Sequence, residues 1–115
     1  MIDPSLTQEI TALHAGICSA LADPKRILIL YALQDKARNV GELAAEVGIS
    51  QSAASRHLNL LRERGLATAL REGQSVIYSL ADENIIKALD LLRGVLANKL
   101  KNQASLVETA YEHKE

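Results

Sequence analysis

The chain has 115 residues, of which 48% are hydrophobic and 23% are charged, with 13 basic residues against 14 acidic ones. A chain of this length and composition forms one globular domain with an apolar core, and it is too short for a catalytic domain joined to a separate regulatory one. The net charge of −1 excludes a strongly basic surface, so any positive charge that attracts nucleic acid must be local.

Cysteine usage and hydropathy exclude further classes of protein. The single cysteine, Cys18, rules out an intrachain disulfide framework and a multi-thiolate metal site within one chain. The N-terminus lacks the basic region of a signal peptide. The longest uninterrupted apolar run, residues 27–33, has seven residues, whereas a membrane span needs about 20. We therefore expect a soluble, cytoplasmic protein with no membrane partner.

A first helix is predicted to begin near Pro4 and to continue to Leu21. Proline is favoured in the first turn of a helix, and Ser5 and Gln8 have the spacing of a capping box. Apolar residues then recur at spacings of three and four through Leu21, which gives this helix one apolar stripe.

Signals for two shorter helices follow. The dipeptide Asp23-Pro24 ends the first helix and caps a second, which we expect to end near Gln34. Asn39 and Glu42 have the spacing of a reciprocal cap at the start of a third helix. Gly48 ends this third helix, because glycine adopts the left-handed conformation of a helix C-terminus without steric cost.

The fourth predicted helix completes a helix-turn-helix. Ser50 caps it, and its apolar residues recur at i, i+4 and i+7 until Gly65 ends it after about Arg64. A short helix, a three-residue turn at 48–50 and a second helix are the elements of this DNA-binding motif.

The polar face of the fourth helix has the residue types of a recognition helix. Glutamine and asparagine bond adenine through two atoms, arginine does the same with guanine, and serine contacts phosphates or bases. Free amide hydrogens at the helix N-terminus favour a phosphate. The predicted DNA-binding residues of this helix are Gln51, Ser52, Ser55, Arg56, His57 and Asn59.

Three of the charged or titratable residues in this region have two interpretations. His57 either contacts a phosphate or packs between helices near Leu58. Arg62 and Arg64 are interpreted as a solvated face more readily than as DNA contacts. Residues 51–80 contain four arginines and two glutamates, a net charge of +2, so the basic excess lies where the motif predicts DNA contact.

A β-hairpin is predicted directly after the helix-turn-helix. Residues 66–70 and 75–80 read as two short strands, and the second alternates apolar and polar residues. The polar segment between them forms the tip, with Gly73 supplying the turn. This hairpin makes the motif a winged helix-turn-helix, and we expect Arg71 and Gln74 at its tip to reach the DNA backbone or the minor groove.

A long last helix begins at Asp82 and has a broad apolar face. Together with the first helix it carries more apolar surface than a domain this small needs, which predicts a homodimer. A two-fold dimer places its recognition helices about one DNA turn, ~34 Å, apart on palindromic double-stranded DNA. The apolar residues of the last helix are Ile85, Ile86, Leu89, Leu92, Val95, Leu96 and Leu100.

Four segments in register resemble the ArsR/SmtB winged-helix repressors. They are ADPKRILIL at 22–30, ELA at 42–44 with GISQSAASRHL at 48–58, LR at 61–62 with GL at 65–66, and REG at 71–73 with YSL at 78–80. The match extends from about residue 10 to residue 100. The resemblance implies a mainly α fold with a hairpin wing, about five helices and two strands, in one domain over residues 1–115. It also implies a homodimer, paired through its first and last helices, that represses a promoter until an effector releases it.

The metal sites of that family do not carry over to this sequence. Metal-sensing relatives have a cysteine pair around the helix before the turn, where this chain has residues 42–47 without a thiol. Others begin the last helix with Asp-x-His, where this chain has Asp82-Glu83-Asn84. We therefore assign no cofactor and no family metal site, and the effector stays unidentified.

Cys18 has three interpretations. The first is a small buried hydrophobic residue of the first helix. The second uses His14, four residues earlier on the same helical face, because two histidines and two cysteines converging across a dimer would suit a tetrahedral metal. The third is a redox role, through a disulfide between subunits or an oxidised thiol.

The sequence as a whole predicts a sequence-specific DNA-binding transcriptional regulator, most simply a homodimeric repressor. An enzyme is not expected, since no nucleophile elbow and no glycine-rich phosphate loop is present. The alternative is a winged-helix dimerisation or protein-interaction module without DNA binding, although such a module has no need for the polar face at 51–56. A regulator without an effector, governed by its own concentration, is a third possibility.

Overall fold

Five α-helices, one π-helix and one β-hairpin form the part of the chain that the computed structural model describes, residues 1–112, with side chains described up to residue 104. The order of elements confirms the predicted mainly α fold with a hairpin wing. The elements are α1 Pro4–Leu13, the π-helix His14–Cys18, α2 Pro24–Asp35, α3 Val40–Val47, α4 Gln51–Glu63, β1 Ala67–Glu72, β2 Ser75–Leu80 and α5 Glu83–Glu112.

The first helix begins at Pro4, as predicted, but its N-cap is Asp3 and not Ser5. The Oδ1 atom of Asp3 accepts a hydrogen bond from the Ser5 amide at 2.9 Å. The predicted capping box of Ser5 and Gln8 is therefore wrong. Because proline is best accommodated at the first helical position, Pro4 makes the preceding residue the cap.

A π-helix interrupts what was predicted as one continuous first helix. The Ser19 amide donates to the carbonyl oxygen of His14, five residues earlier, at 2.9 Å, which is the hydrogen bond of a π-helix. The Ser19 hydroxyl donates to the carbonyl oxygen of Ala15 at 2.6 Å and so competes with the α-helical pattern. The apolar stripe does not reveal this change, because its spacings of three and four residues continue through the π-helix.

The caps of the next three helices are those the sequence predicts. Asp23 caps α2 by accepting from the Lys25 amide at 2.8 Å. Asn39 and Glu42 form a complete capping box at the start of α3, with bonds of 2.8 and 3.1 Å. Ser50 caps α4 by accepting from the Ala53 amide. These caps fix where α4, the predicted recognition helix, begins.

The second strand has the predicted bounds, whereas the first ends two residues later than predicted and so shortens the tip of the hairpin. β1 and β2 are antiparallel, with pairs from Ala67 and Leu80 at the base to Glu72 and Ser75 at the end. Gly73 has φ +63°, and no described non-glycine residue has a positive φ. This combination indicates a two-residue turn of type II′. Such a turn joins the strands directly, so Arg71 and Glu72 belong to β1 rather than to the tip.

The core of residues 1–83, which form one compact unit, is aliphatic. Full burial of each large aliphatic side chain contributes roughly 1.5–3 kcal/mol. Because α4 buries one face in this core, its opposite face is left to solvent. The largest fully buried side chains of this unit are Ile29, Leu30, Leu43, Leu58, Leu61 and Leu66.

Arg38 attaches the base of the wing to the helices, a role that the sequence did not reveal. Its backbone exchanges hydrogen bonds of 3.0 and 2.8 Å with the backbone of Tyr78 on β2. Its side chain is buried and bonds Asp35 at 2.8 Å and the carbonyl oxygen of Ala32 at 3.2 Å, with Glu46 at 3.7 Å. One residue thus joins α2, α3 and β2.

The first and last helices expose apolar side chains to solvent. On α1, Leu6, Ile10 and Leu13 are exposed. On α5, which forms a separate unit from residue 84 onward, Ile86 and Leu89 are buried, while Leu91, Leu92, Val95, Leu96 and Leu100 are 55–74% exposed. No helix among the described residues has the length and apolarity to cross a membrane.

Candidate nucleic-acid interface

One side of α4 is a continuous polar surface. At about 100° per residue, four of the predicted DNA-binding residues fall within one arc of roughly 100° on this helix. The opposite side contains the fully buried Ala54, Leu58 and Leu61. The four residues of the polar arc, which we call the recognition arc, are Ser52, Ser55, Arg56 and Asn59, and Ser55 alone among them is half-buried.

Two other predicted residues of α4 lie outside the recognition arc, Gln51 next to it and His57 towards the buried face. Gln51 is exposed at the helix start, and its side-chain Nε2 atom lies over Gly41 of α3, 3.5 Å from where a Cβ at that position would be. His57 is half-buried, with Nδ1 3.5 Å from Nη1 of Arg26 on α2. Of its two interpretations, this position favours packing between helices over a phosphate contact.

The N-terminus of α4 is open to an anion. Ser50 satisfies the Ala53 amide, and the Ala54 amide bonds the Ser50 carbonyl oxygen. The amides of Gln51 and Ser52 precede the first intrahelical bond and point out of the helix end. Together with the positive end of the helix dipole, they favour a phosphate oxygen.

The wing presents its polar residues on a supported hairpin. Arg71 lies opposite Val76 near the end of β1, and Gln74 forms the second residue of the turn. Both are exposed. Because the backbone pairing of Arg38 with Tyr78 fixes β2 to the helices, the wing carries these side chains on a rigid base.

The arginines of this region divide into two groups. Arg56, Arg62 and Arg71 are exposed and form no ion pair with any of the described residues. Arg64, in contrast, has its Nη1 atom 2.6 Å from the carbonyl oxygen of Ala15. The interpretation of Arg64 as part of a solvated face is therefore wrong, because its guanidinium binds the chain's own backbone.

Asp23, the N-cap of α2, carries a negative charge close to His57 of α4. The hydrogen bond from the Lys25 amide lowers the pKa of Asp23, partial burial opposes this, and the nearby His57 and Arg26 lower it further. Its carboxylate also lies 3.6 Å from Arg26. Asp23 is thus ionised at neutral pH and offsets positive charge on the α2 side of α4, away from the recognition arc.

His14 and Cys18 mark the two ends of the π-helix. Both are exposed, so the interpretation of Cys18 as a buried hydrophobic residue is wrong for the single chain. Among the described residues, no group of three or more histidine, cysteine or acidic side chains lies close enough to bind a metal.

Sequence comparison gives a class of protein that fits this geometry. The profile described as "Bacterial regulatory protein, arsR family" matches residues 23–69. The HTH-type transcriptional regulator CmtR of Mycobacterium tuberculosis is 48% identical over 84 residues, which cover 72% of this chain and 71% of CmtR.

Solved structures share the fold over most of the chain. The crystal structure of Rv0081 from M. tuberculosis superposes with a TM-score of 0.74 at 36% identity, covering 90% of this chain and 99% of that one. The homodimeric winged helix-turn-helix DNA-binding domain of Mb0332 from Mycobacterium bovis, described as a possible ArsR-family transcriptional regulator, has a TM-score of 0.74 at 28% identity. It covers 87% of this chain and 93% of its own.

Proposed function

Since the chain belongs to the ArsR family of bacterial regulatory proteins, we propose that it is a homodimeric repressor that occupies a palindromic operator until a signal releases it. Members of this family are transcriptional regulators and not enzymes. The recognition arc carries the proposal, because it places hydrogen-bonding side chains on the one face of α4 that the core leaves open. Operator DNA puts its site of action in the cytoplasm.

In this proposal α4 enters the major groove. Arg56 bonds the O6 and N7 atoms of a guanine, and Asn59 bonds an adenine. Ser52 and Ser55 contact phosphates or base edges, and the free amides at the start of α4 bind a phosphate. Arg71 and Gln74 extend the contact along the backbone or into the minor groove. Gln51 contacts DNA at the border of the arc. His57, which faces Arg26 of α2, packs between helices and takes no DNA contact in this proposal.

The dimer of this proposal is formed by α1 and α5. Both helices expose several large apolar side chains, and contiguous apolar surface of this kind often marks an interface between proteins. Mb0332, which shares the fold, is a homodimer. Two-fold symmetry presents two recognition arcs to successive major grooves about 34 Å apart, so the operator has two inverted half-sites.

The test is a fluorescence-anisotropy titration of the reduced protein against its own upstream DNA and a scrambled duplex, at two salt concentrations. A regulator prefers the upstream DNA and loses affinity as salt rises. A parallel selection from a random duplex library finds the operator if it lies elsewhere. Equal binding to both duplexes and no enriched sequence would overturn the proposal in favour of a protein-interaction module.

A further inference from the structure

The π-helix bonds an arginine at the far end of the recognition helix. Arg64, the C-cap of α4, places its Nη1 atom 2.6 Å from the carbonyl oxygen of Ala15 and 2.9 Å from that of Gly16. The same atom is 2.6 Å from the Ser19 hydroxyl oxygen. These partners are 45–49 residues away in the sequence, so this cluster is a long-range connection.

A second arginine bonds the turn that follows the π-helix. The Nε atom of Arg26 donates to the carbonyl oxygen of Ala20 at 2.7 Å, and its Nη2 atom donates to that of Ser19 at 3.3 Å. Arg26 also faces His57 of α4 at 3.5 Å. The segment from Ala15 to Ala20 is thus connected to α4 both directly, through Arg64, and through Arg26.

The hydrogen-bond register of this segment determines which carbonyl oxygens are free to accept hydrogen bonds from Arg64. In the π-helix the Ser19 amide bonds the carbonyl oxygen of His14. In an α-helix the same amide would bond the carbonyl oxygen of Ala15, which already accepts from the Ser19 hydroxyl and from Arg64. In the α register the Ser19 amide would therefore compete with Arg64 for the carbonyl oxygen of Ala15.

We propose that Arg64 is a positioning residue for DNA recognition, coupling the register of the π-helix to the placement of α4. The recognition arc is in position when Arg64 binds the π-helix, and the affinity for DNA falls when this contact is lost. Whatever shifts the register, in this segment or at the neighbouring α1, thereby changes DNA binding from outside the recognition arc. This inference rests on the proposed role of α4 in DNA recognition.

The hydrogen bonds that the Arg64 guanidinium already makes within the chain indicate that it positions α4 and does not bind a phosphate. Its Nη1 atom already has three oxygen partners within the chain, whereas Arg62, two residues earlier, is exposed and unpaired within the described residues. A phosphate-binding arginine contributes to the salt dependence of binding, with a slope change of about one per contact. Replacing a positioning arginine lowers the affinity for DNA and leaves that slope unchanged.

The experiment compares Arg64→Lys, Arg64→Ala and Ser19→Ala with the matched control Arg62→Lys, by anisotropy on the selected operator at several salt concentrations. Lysine keeps the charge, but its shorter side chain cannot place its ammonium nitrogen where Nη1 contacts all three oxygens. We expect Arg64→Lys to weaken operator binding about tenfold, within the usual range of coupling between sites. Arg64→Ala weakens it further without changing the salt slope, and Arg62→Lys stays within about twofold of the unchanged protein.

A double variant tests whether Arg64 and Ser19 act as one unit. Ser19→Ala removes one partner of Arg64 and perturbs the fold little, because alanine favours helix. We expect it to weaken binding about threefold, and the variant Ser19→Ala/Arg64→Lys to bind no worse than Arg64→Lys alone. Independent losses that multiply would overturn the coupling, and this comparison is available even if Arg64→Ala does not fold.

Amide hydrogen exchange distinguishes coupling from a purely structural role of Arg64, because a structural role alone would not make exchange in the π-helix depend on DNA. Because coupling is reciprocal, operator DNA should slow amide exchange over residues 15–20 in the unchanged protein and in Arg62→Lys, and not in Arg64→Lys. Equal slowing in all three overturns the inference. If Arg56→Ala weakens operator binding and Arg64→Lys does not, only this inference fails. If the unchanged protein prefers no sequence, the proposed function itself fails.

Discussion

Arg56 is the residue of the recognition arc that we expect to read a base, since arginine to guanine is the commonest specific contact between proteins and DNA bases. It is exposed, forms no ion pair within the described residues, and can bond guanine through two atoms. We expect Arg56→Ala to weaken operator binding by about 1–3 kcal/mol and to leave binding to a scrambled duplex much less affected. Anisotropy titrations with both duplexes measure the difference. Unchanged operator binding would show that the recognition arc is assigned wrongly.

We expect Arg71 on the wing to contact a phosphate, in contrast to the base contact expected of Arg56. A side chain that binds a phosphate carries no sequence information. Arg71→Ala should therefore weaken operator and scrambled DNA alike and reduce the slope of log Kd against log salt by about one. The control is Lys36→Ala, which removes one positive charge at an exposed residue at the end of α2, outside α4 and the wing. A selective loss at the operator would instead show that Arg71 reads a base.

Cys18 is exposed on the π-helix, so a thiol-directed signal can reach it. If a soft metal ion or an oxidant releases the protein from its operator, we expect Cys18→Ser to abolish that release and to leave the unchallenged affinity within about twofold. His14→Ala separates the two signals, because it removes a metal ligand and not the thiol. A response that survives in Cys18→Ser excludes both the metal and the redox interpretation.

At the scale of the elements, the stability of a helix depends on its N-cap, and α3 has a complete capping box with which to test this. Asn39 and Glu42 satisfy each other's backbone amides at its start, and α3 lies directly before the turn that leads to α4. Asn39→Ala should lower the free energy of unfolding by about 1 kcal/mol, whereas Asn39→Ser, which keeps a capping oxygen, should cost less. Urea titrations at one protein concentration measure both, and equal losses would contradict the cap.

The elements also show what could be predicted from sequence and what could not. Caps such as Asn39 and Ser50 were predictable, because a cap is decided by residues within one turn. The roles of Arg38 and Arg64 were not, since their partners lie on other elements and no local pattern marks them. The π-helix escaped prediction because its insertion leaves the apolar spacing nearly intact. The residues of the recognition arc follow the period of one helix, so their common face could be predicted. The hydrogen bonds of Arg38 and Arg64 join separate elements, so they could not.

At the scale of the whole molecule, the apolar faces of α1 and α5 require a partner surface. The chain exposes leucine and isoleucine side chains on α1 and leucine and valine side chains on α5, at a cost of roughly 25 cal/mol for each Å² of apolar area left in water. Burying them in a dimer also joins two recognition arcs. Binding through two joined sites exceeds binding through one by about 10²- to 10⁴-fold. The single domain with dimerising terminal helices that we propose thus connects stability to operator affinity.

Leu92→Glu tests that connection. Leu92 is 61% exposed on α5, and a glutamate there would be buried without a partner if α5 forms the dimer. We expect Leu92→Glu to sediment as a monomer and to bind the full operator at least about a hundredfold more weakly, while its binding to a half-site changes little. Leu70→Glu, which introduces the same charge at a similarly exposed leucine of the wing, should remain dimeric. If Leu92→Glu sediments as a dimer at every concentration, the subunits pair through another surface, because an unpaired buried carboxylate at this position would be too costly to tolerate.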